Sequence, residues 1–129
     1  MSFMPGLQPA ILIAPTSYNI EYLVIAGGAG GGGTQNGVNY SGGGASGGYR
    51  CSVAGENSGG GAPAEAALSV DAGDVLTVLI GAGGTGTNGT AIATNGSDTT
   101  FGPITSIGGG CGSGLDSTPA WSPPGASRS

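Results

Sequence analysis

Short apolar blocks run directly into glycine tracts three times along this chain. The blocks are residues 22–26, 75–80 and 104–107, and a run of glycine follows each of them at once. β-Branched and aromatic residues favour strands, whereas glycine removes the side chains on which a strand packs. The pattern therefore predicts an all-β domain in which strands alternate with glycine-rich segments.

Shorter strands are predicted between these blocks. Residues 49–53 alternate well enough for a strand, and 101–107 supply a last strand with an aromatic residue at its start. Residues 64–70 are expected to pair with 75–80, with the turn 71–74 joining the two strands as a hairpin. We expect these strands to form a small antiparallel β-sandwich or jelly-roll-like domain.

The two ends of the chain differ in composition from its middle. The predicted organisation is an extended N-terminal arm, a glycine-rich β domain and an irregular C-terminal tail, at residues 1–19, 20–114 and 115–129. Three prolines in the arm exclude a helix of useful length. The apolar triplet Ile11-Leu12-Ile13 belongs either to a frayed terminus or to an anchor. We favour the anchor, because an uncovered apolar triplet is an aggregation hazard.

Glycine and charge set the physical limits of this chain. Of 129 residues 31 are glycine, so less apolar area can be buried than the length suggests. The chain has seven acidic residues, two arginines, no lysine and no histidine, with a net charge of −5. This balance argues against nucleic acid and against anionic membranes as partners. A stable fold then needs dense backbone hydrogen bonding, neighbouring subunits, or both.

The chain has few side chains that could take part in catalysis. No histidine or lysine can activate a hydroxyl or thiol, and Asp71 and Asp74 are typical turn residues. Gly28–Gly33 fits GxGxxG, but turn formers follow it where a nucleotide-binding helix is required. Cys51 and Cys111 are interpreted as small apolar residues, and their pairing is left open. No enzyme activity, cofactor or metal is expected.

The glycine tracts have two physical uses beyond flexibility. They can form extended three-fold helices that bundle through backbone hydrogen bonds, or loops whose bare peptide groups face outward. Residues 84–100 are predicted as a surface loop or two short strands. A peptide surface with nearby aromatic rings suits sugar recognition. The candidate surface-binding residues are Tyr40, Gly43, Gly44, Tyr49, Asn88, Asn95 and Trp121.

Four blocks, in order, carry a resemblance to a known family. They are YLVIAGG at 22–28, GGGASGGYR at 42–50, DVLTVLIGAGG at 74–84 and TTFG at 99–102. Together they resemble the glycine-rich domain of tail fibres and other structural proteins of tailed bacteriophages. The resemblance implies a β-rich virion module, often at the distal end of a fibre and concerned with host binding. The apolar arm is this chain's own addition to that pattern.

The expected function is that of a non-enzymatic virion protein. The leading hypothesis is a short tail fibre or adhesin that forms a homotrimer. The triplet at residues 11–13 would bind other virion proteins, and the glycine loops would face polysaccharide on the host surface. A capsid decoration protein is the alternative, and a lectin-like module outside any virus would leave the arm unexplained. No secretion signal is evident, so assembly into virions within a host cytoplasm is expected.

Overall fold

A computed structural model describes Gly6 and residues 16–33, 41–88 and 91–113. Within these residues the regular structure is almost entirely β, with one short 3₁₀ turn, Gly59–Gly61. No helix in this part is long and apolar enough to cross a membrane. The strands are β1 (Ser17–Ile20), β2 (Leu23–Ile25), β3 (Tyr49–Cys51), β4 (Leu68–Asp71), β5 (Val78–Leu79), β6 (Thr99–Phe101) and β7 (Ile104–Ser106).

The strands form three small antiparallel sheets. The strand orders are β1-β4, β2-β3 and β5-β6-β7. The predicted all-β class is therefore confirmed. β2 and β3 lie within the predicted strand blocks 22–26 and 49–53. Three residues of the predicted arm, Ser17 to Asn19, belong to β1 and pair with β4.

The predicted strand pairing is wrong. Residues 64–70 do not form a hairpin with 75–80, because β4 pairs with β1, and β5 pairs with β6. The turn after β4 does exist: Asp74 N–H donates to the Asp71 carbonyl oxygen over 3.1 Å, and Gly73 has a φ of +100°. The expected last strand is a hairpin of β6 and β7. Gly102, with a φ of +53°, reverses the chain at the first central position of the turn.

Most glycine tracts form extended segments that are neither sheet nor loop. We number them segment I (26–33), segment II (42–48), segment III (81–87), segment IV (94–97) and segment V (107–113). Hydrogen bonds between segments I and II recur at every third residue. The N–H donors and carbonyl acceptors are Ala26 to Gly48, Ala29 to Ala45 and Gly32 to Gly42, at 3.0, 2.9 and 2.9 Å. A three-residue period with no internal hydrogen bonds is that of the polyproline II helix.

Segment I is the centre of this bundle and bonds to all four other segments. It accepts from segment III at Gly28 and Gly31, and it donates to segment IV from Gly27 and Gly30. Segment V donates to the carbonyl oxygens of the same Gly27 and Gly30. Of the two structures left open by the sequence, the described tracts therefore adopt the three-fold helix.

The peptide geometry arranges the five segments in two layers. In a trans peptide, the carbonyl of one residue points opposite the N–H of the next. The Gly28 carbonyl binds segment III and the Ala29 N–H binds segment II, so these segments flank segment I on opposite sides. Segments IV and V also bond to each other, from Gly96 N–H to the Gly109 carbonyl oxygen over 2.9 Å. We call II-I-III the three-segment layer and IV-V the two-segment layer.

Side chains pack chiefly at the strand end of the bundle. Tyr22, Val24 and Ala26 alternate along and just beyond β2 and are buried, and Cys51 on β3 is 1 % exposed. Cys51 and the half-buried Cys111 are both free thiols, which agrees with their interpretation as small apolar residues. A core this small leaves the backbone hydrogen bonds of the glycine segments to hold the remainder of the domain.

Candidate functional site

The bundle has two unlike ends, and the strands lie at one of them. Segments I, III and V run away from the strands, while II and IV run back towards them. At the opposite end, which we call the loop end, Gly32 N–H donates to Gly42 and Gly42 N–H donates to the Ser113 carbonyl oxygen over 2.9 Å. The chain stretches 34–40, 89–90 and 114–129 all join the described residues here. The loop end therefore contains the described residues that flank these three stretches.

The predicted surface-binding residues are divided between the two ends. Gly43 and Asn88 are exposed at the loop end, and an ideal Cβ added at Gly43 would meet no atom within 4 Å. Tyr49 instead lies in β3 at the strand end, opposite Ile25. Tyr40, Trp121 and the arm triplet Ile11, Leu12 and Ile13 lie outside the described residues.

Two of the predicted binding residues have contacts within the fold. A Cβ at Gly44 would lie 2.3 Å from the Ala29 carbonyl oxygen, so Gly44 is a packing position of segment II. The side-chain oxygen of Asn95 accepts a hydrogen bond from the Cys111 N–H over 2.8 Å. Glycine content alone cannot separate packing positions such as Gly44 from open ones such as Gly43.

A polar cluster around Glu65 is the chief feature that sequence reasoning missed. Arg50 donates through Nε to both carboxylate oxygens, at 2.9 and 3.1 Å, and through its terminal nitrogen to Oε2. The Tyr22 hydroxyl donates to Oε2 over 2.8 Å, and the Ser58 hydroxyl donates to Oε1 over 2.9 Å. Arg50 also reaches the Thr105 carbonyl oxygen at 3.1 Å, which joins β3 to β7. The cluster thus links the 58–65 connection to two sheets.

The cluster holds its groups in fixed protonation states. Hydrogen bonds from Arg50, with those from Tyr22 and Ser58, lower the pKa of Glu65 to about 2 despite its partial burial. The hydrogen bond to Glu65 raises the pKa of Arg50. Burial, together with the Glu65 carboxylate, raises the pKa of Tyr22. A carboxylate that stays ionised and fully bonded in this way supports structure, because general acid catalysis needs a pKa near the working pH.

The sequence did contain a signal for this cluster. Arg50 is the only cation between residues 1 and 127, and a half-buried guanidinium requires a carboxylate partner. What the sequence did not contain was which of the seven acidic residues would supply it.

A family model describes nearly the whole chain. It is the model of a glycine-rich domain, and it matches residues 8–129. The chain belongs to this glycine-rich domain family. No curated protein and no solved structure matches this chain. The family is defined by glycine, and in this member the described glycines build a hydrogen-bonded bundle with a loop end.

The described part of the loop end presents exposed glycine peptide groups, such as that of Gly43. No group of three or more histidine, cysteine, aspartate or glutamate side chains within 16–33, 41–88 and 91–113 is arranged to hold a metal ion. The loop end offers backbone donors and acceptors on a hydrogen-bonded scaffold. Such a surface can bind hydroxyl-rich ligands by hydrogen bonds.

Proposed function

We propose that this chain is a non-enzymatic structural protein of a tailed-bacteriophage virion, acting as a short tail fibre or adhesin module. In this role the loop end faces polysaccharide on the host surface, and the N-terminal residues Ile11, Leu12 and Ile13 anchor the module to other virion proteins. A homotrimer is the expected assembly, by analogy with fibres. The sandwich or jelly-roll arrangement of its sheets also stays a prediction.

The observation that carries this proposal is the separation of the two ends. The N-terminal residues join the described chain at Thr16, whose carbonyl oxygen accepts from the Ala72 N–H beside the outer end of β1. The residues from 114 onward and the connections 34–40 and 89–90 join it at the loop end. An adhesin needs this polarity, because attachment and recognition must not compete for one surface. The resemblance to phage glycine-rich domains supplies the biological setting.

Binding by the loop end is tested with a matched pair of tyrosine variants. Tyr40 belongs to a loop-end connection, whereas Tyr18 lies in β1 and is 47 % exposed. We expect Tyr40→Ala to weaken binding of the purified chain to host surface polysaccharide about five- to tenfold, the loss of one ring stacked on a sugar. Tyr18→Ala should bind as the unchanged chain does. Biolayer interferometry on immobilised polysaccharide measures both, and equal affinities for the three chains, or no binding at all, would contradict an adhesin.

Anchoring is tested on particles. Deleting residues 1–15 leaves β1 intact, so the domain should fold as before while its incorporation into virions is lost. Gel densitometry of purified particles reports both the loss and the number of copies per virion. A few copies at the tail agree with a fibre. Hundreds of copies without host affinity would instead identify a head decoration protein, and normal incorporation of the truncated chain would remove the anchor.

A further inference from the structure

One side of the central glycine segment has peptide groups with no hydrogen-bond partner among the described residues. The Gly28 and Gly31 N–H groups point away from segment V, because the carbonyls before them bind that segment. The Ala26 and Ala29 carbonyls point away from segment IV for the same reason. Both sets lie on the outer side of the three-segment layer, which therefore offers donors and acceptors together.

On the outer side of the two-segment layer, the outward N–H groups do have hydrogen-bond partners. There the outward N–H groups of Gly108 and Cys111 each meet a side-chain oxygen at 2.8 Å, from Asp98 and Asn95 respectively. One outer side is thus capped by side chains, whereas the described residues provide no such cap on the other, which we call the bare side.

The bare side also contains glycines that the chain's own packing does not require. Where two segments touch, an ideal Cβ would lie about 2 Å from neighbouring backbone, for example 2.1 Å at Gly30 and 2.0 Å at Gly84. Five glycines with negative or extended φ instead have room, with no atom nearer than 3.4 Å. They are Gly28, Gly31, Gly43, Gly83 and Gly86, and all five lie in the three-segment layer. Glycine where the chain itself leaves room indicates close approach by another backbone.

An apolar cleft continues this side towards the strands. Gly28 and Gly31 form one three-residue row, and Gly83 and Gly86 form the next. Ile25, at the end of β2, and Ile80 each lie three residues before the first glycine of their row. Ile25 is 52 % exposed and Ile80 is 80 % exposed, and with Leu23 and Val78 they line a cleft of about 440 Å³. The continuous apolar run 22–26 is typical of a strand covered on both faces. Among the described residues, only the face of Tyr22 and Val24 is covered.

We propose that this side, which we call the open face, is the contact surface between copies of this chain. Its residues are Ile25, Gly28, Gly31, Ile80, Gly83 and Gly86. A neighbouring copy lays one of its own three-fold segments along these rows as the start of a third layer. The inference does not depend on what the assembled protein attaches to.

Three features of the open face favour a second copy over another partner. Its rows have no charged side chain, and Glu21 is the one charge in the cleft lining, so charge attraction contributes little. Its donors recur every three residues, about 9 Å apart in a polyproline II helix, which matches the acceptors of another such helix. This chain already packs these helices both parallel and antiparallel, so either orientation of a neighbour is acceptable.

The test is the mass of the full chain in solution, measured by sedimentation velocity and light scattering across a dilution series. We expect the unchanged chain to associate and the double variant Gly28→Ala/Gly83→Ala to have the mass of one chain at the same concentrations. Added methyl groups have room within one copy, with nearest atoms at 3.8 and 3.6 Å. In a contact between the backbones of two copies, these methyl groups would clash with the partner's backbone, as a methyl group at Gly30 would clash with segment III.

A matched isoleucine pair separates the open face from general stickiness. Ile80→Ala should weaken association at least tenfold, whereas Ile92→Ala, which removes a 65 % exposed side chain that does not line the cleft, should leave it unchanged. Circular dichroism and thermal unfolding of each variant in dilute solution verify that the fold is retained. The proposal is overturned if the unchanged chain is a monomer throughout, or if the Gly28→Ala/Gly83→Ala chain is folded and associates as tightly.

Discussion

Replacing Gly30 by alanine is expected to unfold the domain, whereas the same change at Gly43 is expected to be tolerated. An ideal Cβ at Gly30 would lie 2.1 Å from the carbonyl oxygen of Thr85 and 2.5 Å from the amide nitrogen of Gly86. These are backbone atoms of segment III and not a side chain that can move aside. Segment III is held by its hydrogen bonds to segment I, from Gly84 and Thr87, and the Thr85 carbonyl oxygen accepts from the Thr94 N–H of segment IV. Overpacking usually costs about 1–3 kcal/mol where side chains can adjust. We expect a loss above about 4 kcal/mol here, a large part of a typical domain's stability.

Gly43 is the matched control, because a Cβ there meets no atom within 4 Å. Alanine restricts the unfolded chain more than glycine does, so Gly43→Ala should stabilise the domain by about 0.4–1 kcal/mol. Urea unfolding in dilute solution, followed by circular dichroism and by tyrosine fluorescence, measures both variants. Similar stability of the two variants would mean that segments I and III do not pack as described.

The second large effect is expected at Glu65 as the pH falls. Its pKa is lowered to about 2 in the folded protein, whereas an unfolded glutamate titrates near 4.5. A lowered folded pKa contributes stability that is complete above the unfolded value and is lost as pH falls from about 5 to about 2. The shift corresponds to about 3 kcal/mol, and we expect about 2 kcal/mol because a quarter of the side chain is exposed to water.

The variant Glu65→Gln isolates this contribution from the other carboxylates. At pH 7 its free energy of unfolding should be about 2 kcal/mol below that of the unchanged chain, and the two should converge near pH 2. Glu56→Gln, on an exposed loop, is the control and should follow the unchanged chain at every pH. Chemical unfolding at intervals from pH 7 to pH 2 gives the three curves. If the free energies of unfolding of the Glu65→Gln and unchanged chains differ by the same amount at every pH, the ionised carboxylate of Glu65 is not the source of the stability.

Side-chain chemistry allowed much of the strand content to be predicted. The predicted blocks 22–26 and 49–53 combine apolar, aromatic and β-branched residues, and β2 and β3 lie within them. Pairing was less predictable. The chain places β4 against β1 and not against β5, because the backbone edges of short strands are alike and the turn after Asp71 allows more than one partner. A glycine-rich chain offers few side chains that could decide between such edges.

The candidate site residues also divide into those whose position the sequence indicated and those whose position only the fold decided. That Gly43 and Asn88 lie near a loop end follows from their tracts joining polar connections, which the sequence displays. That Tyr49 lies at the strand end, opposite Ile25, and that Asn95 accepts from the Cys111 N–H, depends on how distant tracts meet. The partnership of Arg50 with Glu65 likewise needs the 58–65 connection to return across β3, which no local pattern indicates.

The sequence by itself determined that this protein is a β-rich, glycine-dominated domain with very few reactive side chains, because these properties are summed from residue types. Only the tertiary structure decided that the tracts are three-fold helices, that segment I is central, and that the chain leaves no room for a Cβ at Gly30 but does at Gly31. The physical reason is that backbone hydrogen bonds carry no residue identity. Glycine tracts look alike along the chain, and the geometry of the folded bundle alone tells which of them touch.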